Sequence, residues 1–115
     1  MANYKDLIVF QKADALTFQI YKLTDTFPKS EIFGLTSQLR RATLSIPANI
    51  VEGYARKSKK ELFQFITIAL GSHAEMEYLY SFSKKLGYCK SDNISMIEDL
   101  IAEVGRLLWS FRRSL

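Results

Sequence analysis

Two side chains carry the chemistry most used in acid–base and nucleophilic catalysis, His73 and Cys89, and each is the only residue of its type in the chain. A lone histidine cannot supply a multi-histidine metal site. The di-iron bundle pattern needs Glu-x-x-His on two helices, and His73, lying before Glu77, offers one imidazole. No serine or cysteine nucleophile is paired with it by spacing, so His73 is expected as a polar flank of a helix rather than a general base. Cys89 has no partner for an internal disulfide and reads as an ordinary thiol. Neither G-x-G-x-x-G nor G-x-x-x-x-G-K-[ST] occurs, which leaves no loop of the kind that cradles nucleotide phosphates. Asn93-Ile94-Ser95 matches a glycosylation acceptor, but a cytoplasmic chain never meets that machinery. These residues predict a protein that is not an enzyme and holds no metal or cofactor.

Two polar patterns remain. Gln38, Arg41, Ser45, Asn49, Glu52 and Arg56 recur at spacings of three and four beside an apolar seam, forming one polar stripe of a helix. The stripe is read as structural, with Glu52 and Arg56 a helix ion pair and a part-buried Asn49 fixing register or partner number. Glu75, after the small residues Gly71 and Ser72, is expected to meet Arg41 across close-packed helices and to couple strongly with it in a double-mutant cycle. The second pattern is basic: Arg56, Lys57, Lys59 and Lys60 crowd one stretch, and Arg112 and Arg113 close the chain.

The elements that must position these residues follow from hydrophobic periodicity. From Asp6 to about Thr26, Val9, Ala13, Leu16, Ile20, Leu23 and Phe27 alternate spacings of four and three, a helical pattern. A second segment, from about Glu31 to Arg56, repeats Leu35, Leu39, Ala42, Ile46, Ile50 and Gly53. Pro47 interrupts it and predicts a kink or break near Ile46, because proline lacks the amide proton and crowds the Thr43 carbonyl. Ser58-Lys59-Lys60-Glu61 has the form of a capping box opening a third segment. Leu62, Phe65, Ala69, Ser72, Met76, Leu79, Ser83 and Leu86 carry that segment to Gly87, a natural terminator. The fourth segment, from near Asp92, shows the cleanest alternation: Ile94, Ile97, Ile101, Val104, Leu108, Phe111 and Leu115. Four long segments with short connections predict an all-α, antiparallel up-and-down four-helix bundle, kinked in its second helix at Pro47, with residues 1–115 a single domain.

That topology gathers the basic residues. One end of an antiparallel bundle collects Lys5, Arg56, Lys57, Lys59, Lys60, Arg112 and Arg113, against Asp6, Glu52 and Glu61. Some of these cations complement helix C-termini. Lys59 and Lys60 do not, because they stand at a helix start, where the dipole disfavours them. Sixteen Lys and Arg against twelve Asp and Glu give the chain +4, and much of that excess lies at this end. Repeated around a ring, such an end suits phosphate backbones. Phe10, Phe18, Tyr21, Phe33, Phe63, Ile66, Tyr80 and Trp109 fall mostly off the seams, and so many together predict a subunit interface.

With 115 residues, 48% hydrophobic and 24% charged, five glycines and two prolines, the composition is that of one folded helical domain. No stretch approaches the roughly 18 apolar residues of a membrane span. No basic-then-apolar leader opens the sequence, and a cytoplasmic location without membrane contact is expected.

Gln38-Leu39-Arg40-Arg41-Ala42, Ser45-Ile46-Pro47-Ala48-Asn49-Ile50-Val51-Glu52-Gly53, Arg56 and Gly71-Ser72-His73-Ala74-Glu75 together resemble the 23S rRNA-intervening-sequence proteins. Phe27-Pro28 and Leu86-Gly87-Tyr88 fit as well. The likeness runs from about Tyr4 to Tyr88; the last segment matches in periodicity, and Phe10 stands where the family often has Trp. The resemblance implies a bacterial four-helix bundle that assembles as a ring, typically a homopentamer, with no enzymatic activity. It is related to accessory factors of diversity-generating retroelements, whose basic barrel binds a reverse transcriptase and nucleic acid. Carried over, Arg40, Arg41, Pro47, Asn49, Glu52 and Glu75 are structural or interfacial positions. The expectation is therefore a non-enzymatic homo-oligomer whose basic end, Lys5, Arg56, Lys57, Lys59, Lys60, Arg112 and Arg113, binds structured RNA or a nucleic-acid protein complex. The alternative is an oligomeric protein-binding adaptor with no nucleic-acid role.

Overall fold

The four periodic segments form four helices. In the computed structural model, which describes residues 3–115, α1 spans Ile8–Thr24, α2 Leu35–Ala55, α3 Lys59–Lys85 and α4 Ile94–Arg113. No strand occurs among the described residues. The seams are the core: Leu16, Ile20, Leu39, Ala42, Ile46, Ile50, Ala69, Met76, Ile97, Val104 and Leu108 are all but inaccessible to solvent. Ile66 and Tyr80, expected off the seam, are buried too. Each helix has two neighbours and so covers more than one stripe. Leu86, at the end of α3, faces solvent.

The ends of the helices have local causes. Asn3 caps a short 3-10 turn, Tyr4–Asp6, accepting the Lys5 amide at 2.7 Å while the Asp6 carboxylate accepts the Asn3 amide at 3.1 Å, and α1 begins just beyond, at Ile8. A second 3-10 turn, Lys29–Glu31, occupies what the periodicity assigned to the start of α2. The Glu31 carboxylate accepts the Leu35 amide there at 3.1 Å, acting as a cap from outside the helix. Ser58 caps α3 through the Glu61 amide, but Glu61 does not close the box; it lies 3.8 Å from Arg56 instead. Gly87, at φ 82°, ends α3: its own amide reaches Lys84 O and the Tyr88 amide reaches Ser83 O, each at 3.0 Å.

Pro47 does not break α2, which is helical from Leu35 to Ala55. The Thr43 carbonyl, deprived of an amide by the proline, lies 3.4 Å from the Thr17 hydroxyl of α1, whose proton is shared with Ala13 O at 2.8 Å. A neighbouring helix thus supplies a donor where the proline removed one.

The helices pack in cyclic order, α1 on α2, α2 on α3, α3 on α4 and α4 on α1, with no diagonal contact among the described residues. Within the first three of these pairs the contacts climb one helix as they descend the other. Thr17 meets Thr43 and Thr24 meets Arg40; Arg41 meets Glu75, Ser45 meets Ser72 and Gly53 meets Phe65; Thr67 meets Arg112, His73 meets Ile101 and Lys84 meets Glu98. The α2–α3 pair is the most extensive. At Gly53 an added Cβ would sit 2.6 Å from Phe65 Cβ, so only glycine permits that approach. The body measures 42 × 25 × 21 Å, and α3, at about 1.5 Å per residue, spans its long axis.

Candidate nucleic-acid interface

The opposing helix directions decide which basic residues share an end. The Tyr4–Asp6 turn packs on α2, and Asn3 and Tyr4 join Val51, Gly53, Tyr54, Lys57, Lys59 and Leu62 around a groove of about 610 Å³. The end of α4 reaches the same region: Arg112 donates to Thr67 Oγ1 at 3.2 Å and lies over the Phe63 ring. One pole therefore holds the first turn, the α2–α3 connection and the end of α4. The opposite pole is clasped by Tyr88, whose ring packs on Phe27 and whose hydroxyl donates to Glu31 at 3.1 Å.

The seven cations expected at the first pole are of two kinds. Arg56 and Arg112 are held: Arg56 pairs with Glu52 at 3.2 Å and stacks on Phe65, and Arg112 lies against Phe63 and Trp109. Lys5, Lys57, Lys59, Lys60 and Arg113 are exposed, and none has an ion-pair partner among the described residues. Lys57 also carries the single positive φ of a non-glycine residue among those described, 56°. It follows the end of α2 in the position glycine usually fills.

The polar stripe of α2 has a different setting. Arg41 is paired with Glu75, as its spacing predicts, and Ser45 Oγ lies 2.9 Å from Ser72 Oγ. Asn49 donates to Ser45 O at 2.7 Å and to Ser45 Oγ at 2.9 Å. The stripe borders the α2–α3 seam. The Arg41 and Glu75 side chains are 60% and 43% exposed, so solvent screening is expected to hold their coupling to about 0.5 kcal/mol.

The sequence model of the 23S rRNA-intervening sequence protein family matches residues 5–110. The chain belongs to that family. A similar fold is seen in a crystal structure of a protein of unknown function from the S23 ribosomal protein family of Bacteroides thetaiotaomicron VPI-5482. The TM-score is 0.83 and the identity 25%, covering 95% of this chain and 98% of that one. No curated protein matches. Neither finding indicates an enzymatic family.

In this member of the 23S rRNA-intervening sequence family, the Gln38–Ala42 string positions a clamp that periodicity does not reveal. Arg40 donates to Thr24 Oγ1 at 2.7 Å, Tyr21 O at 3.1 Å and Asp25 Oδ1 at 3.0 Å, with its guanidinium over the Tyr21 ring. It thereby satisfies an end carbonyl of α1 from a different helix. His73 is not a polar flank. It is buried, its Nε2 lies 2.7 Å from Ile101 O, and Gly105 leaves room for the ring, since a Cβ there would sit 2.9 Å from Cε1. Its hydrogen bond ties α3 to α4, and the ring is closed off from substrate.

A second network lies on the α3–α4 face. Glu98 accepts from the Tyr80 hydroxyl at 3.0 Å and from Lys84 at 2.6 Å. The Lys84 ammonium and the Tyr80 hydroxyl hold the Glu98 carboxyl below the usual carboxylate range, while burial and the Glu98 charge push the Tyr80 phenol up. Burial pushes the Cys89 thiol up to about 11, the opposite of what an activated nucleophile needs. No cluster of potential metal ligands and no helix long and apolar enough to cross a membrane occurs among the described residues.

Proposed function

We propose that this chain is a non-enzymatic subunit of a homo-oligomer, pentameric by family resemblance, that binds structured RNA through the cationic pole. The observation that carries this reading is the convergence of Lys5, Lys57, Lys59, Lys60 and Arg113, from three separate parts of the chain, on one pole, where none of the five has a carboxylate partner among the described residues. Unpaired cations held on fixed elements can neutralise successive phosphates and release their counterions. Nothing in such a pole reads base edges in a groove, so binding follows charge and shape.

Oligomerisation is supported by large apolar side chains left in solvent: Phe33 is 94% exposed, and Phe18, Ile32 and Leu44 more than 45%. Patches of that kind mark surfaces that another chain covers. Light scattering should give a multiple of the 13.2 kDa subunit mass, and a monomer would overturn the ring. For the RNA reading, labelled structured RNA is titrated at several salt concentrations with the parent and with a variant carrying Gln at Arg56, Lys57, Lys59 and Lys60. The parent's affinity should fall log-linearly with salt, and the variant should bind more weakly with a shallower slope. Salt-independent or absent binding would favour the protein adaptor.

A further inference from the structure

We infer that Trp109 and Phe63, with the Arg112 guanidinium against both, form a stacking site for unpaired nucleobases at the edge of the cationic pole. The inference rests on the RNA reading above and names the part of the RNA that is met.

Trp109 and Phe63 sit on adjacent helices, 54% and 45% exposed, and it is their joining into one patch, rather than the exposure of either ring, that is informative. Arg112 links them, with its Cζ 4.5 Å from the Trp109 centroid and 5.4 Å from that of Phe63. Its hydrogen bond to Thr67 Oγ1 fixes a side chain that would otherwise be mobile. Rings and guanidinium are therefore organised before any ligand arrives, which lowers the ordering cost of binding.

Cations surround them by helical register. Lys59 and Lys60 lie one turn ahead of Phe63 on α3; on α4, Arg106 lies one turn ahead of Trp109, and Arg113 one turn beyond it. All four are exposed, and none has an ion-pair partner among the described residues. The acid of the first α3 turn, Glu61, is turned to Arg56. A ligand matching this patch combines a flat π-face with repeated negative charge, the two features of a nucleotide strand. A duplex hides its base faces within its own stack, so the rings can meet only loops, bulges or ends. Every base has such a face, and the site discriminates paired from unpaired rather than one base from another. A second copy of the chain is the weaker fit, because it would have to cover four cations beside the rings.

The chain has one tryptophan, so emission excited at the red edge of the indole band, where the tyrosines do not absorb, reports on this ring alone. The experiment titrates the full chain with a short oligo(U), and separately with inorganic polyphosphate, which carries charge without bases, following both end-label anisotropy and Trp109 emission. Oligo(U) should quench the emission and polyphosphate should not. Trp109→Leu and Phe63→Leu should each lose roughly tenfold in oligo(U) affinity with unchanged polyphosphate affinity, and Trp109→Phe should restore most of the loss. Far-UV helicity confirms that each variant is folded. Oligo(U) binding without quenching, or with Trp109→Leu as tight as the parent, would overturn the stacking site while leaving the RNA reading intact. Emission that shifts with protein concentration and ignores oligo(U) would assign the face to a second copy and also overturn it. Failure of both oligo(U) and structured RNA to bind would remove the RNA reading and this inference together.

Discussion

Lys57 occupies a left-handed conformation in which its Cβ is strained and glycine would not be. Replacing it by glycine should stabilise the fold by about 1 kcal/mol, read as a higher urea midpoint, while weakening RNA binding through the lost charge. A fold that keeps a costly lysine at its cationic tip is expected if the charge is used there. Glu98 gives a pH dependence of definite sign. Its folded pKa is lowered by Lys84 and Tyr80, so its contribution is present above the unfolded carboxylate value of about 4.3 and disappears as pH falls through the lower folded value. Between about pH 5 and 3 the parent's urea midpoint should drop more than that of Glu98→Gln. The Tyr80 shift has the reverse sign: its contribution holds below about pH 10 and is lost above it, as the unfolded phenol ionises. At this scale the sequence was least legible. His73 looks like a flank by type, and its burial depends on Gly105 in another helix. Likewise, nothing along the chain places Glu98 beside Tyr80 and Lys84, because that contact is set by how α3 and α4 are turned about their axes.

Between elements, Arg40 holds the end of α1 to the start of α2. Removing its hydrogen bonds with Arg40→Ala should cost about 1.5–3 kcal/mol, the range for bonds to charged groups, measured by urea unfolding. Arg40→Lys should recover little, since an ammonium cannot hold three such partners in one plane. The Arg41–Glu75 pair should give a coupling of about 0.5 kcal/mol in a double-mutant cycle; strict additivity would reject the contact. Helix existence and seams were legible, because the three-four spacing is a direct record of which side is covered. The start of α2 was not, since Ile32 and Phe33 continue the apolar run while the chain is still a turn. Of the kink or break expected near Ile46, the break is absent: α2 stays helical through Pro47, where α1 places a hydroxyl at the Thr43 carbonyl, and an intrahelical rule takes no account of a neighbour.

Across the whole molecule, the proposed RNA binding depends on placement rather than on any one reactive group. Residues far apart in sequence, Lys5, Lys60 and Arg113, belong to elements that meet at one end, and that much follows from helix count and direction. Topology does not reveal which cations remain unpaired; that depends on where Glu52, Glu61 and the aromatic rings lie. Net charge alone would make both ends attractive to RNA, so the decisive comparison holds charge constant and varies position. Structured RNA is titrated at one salt concentration against two variants, one with Gln at Lys57, Lys59, Lys60 and Arg113, the other with Gln at Lys22, Lys29, Lys85 and Lys90 at the opposite pole. The first variant should lose most of the parent's affinity and the second should keep it. Equal losses in the two, or a greater loss in the second, would contradict binding at the cationic pole.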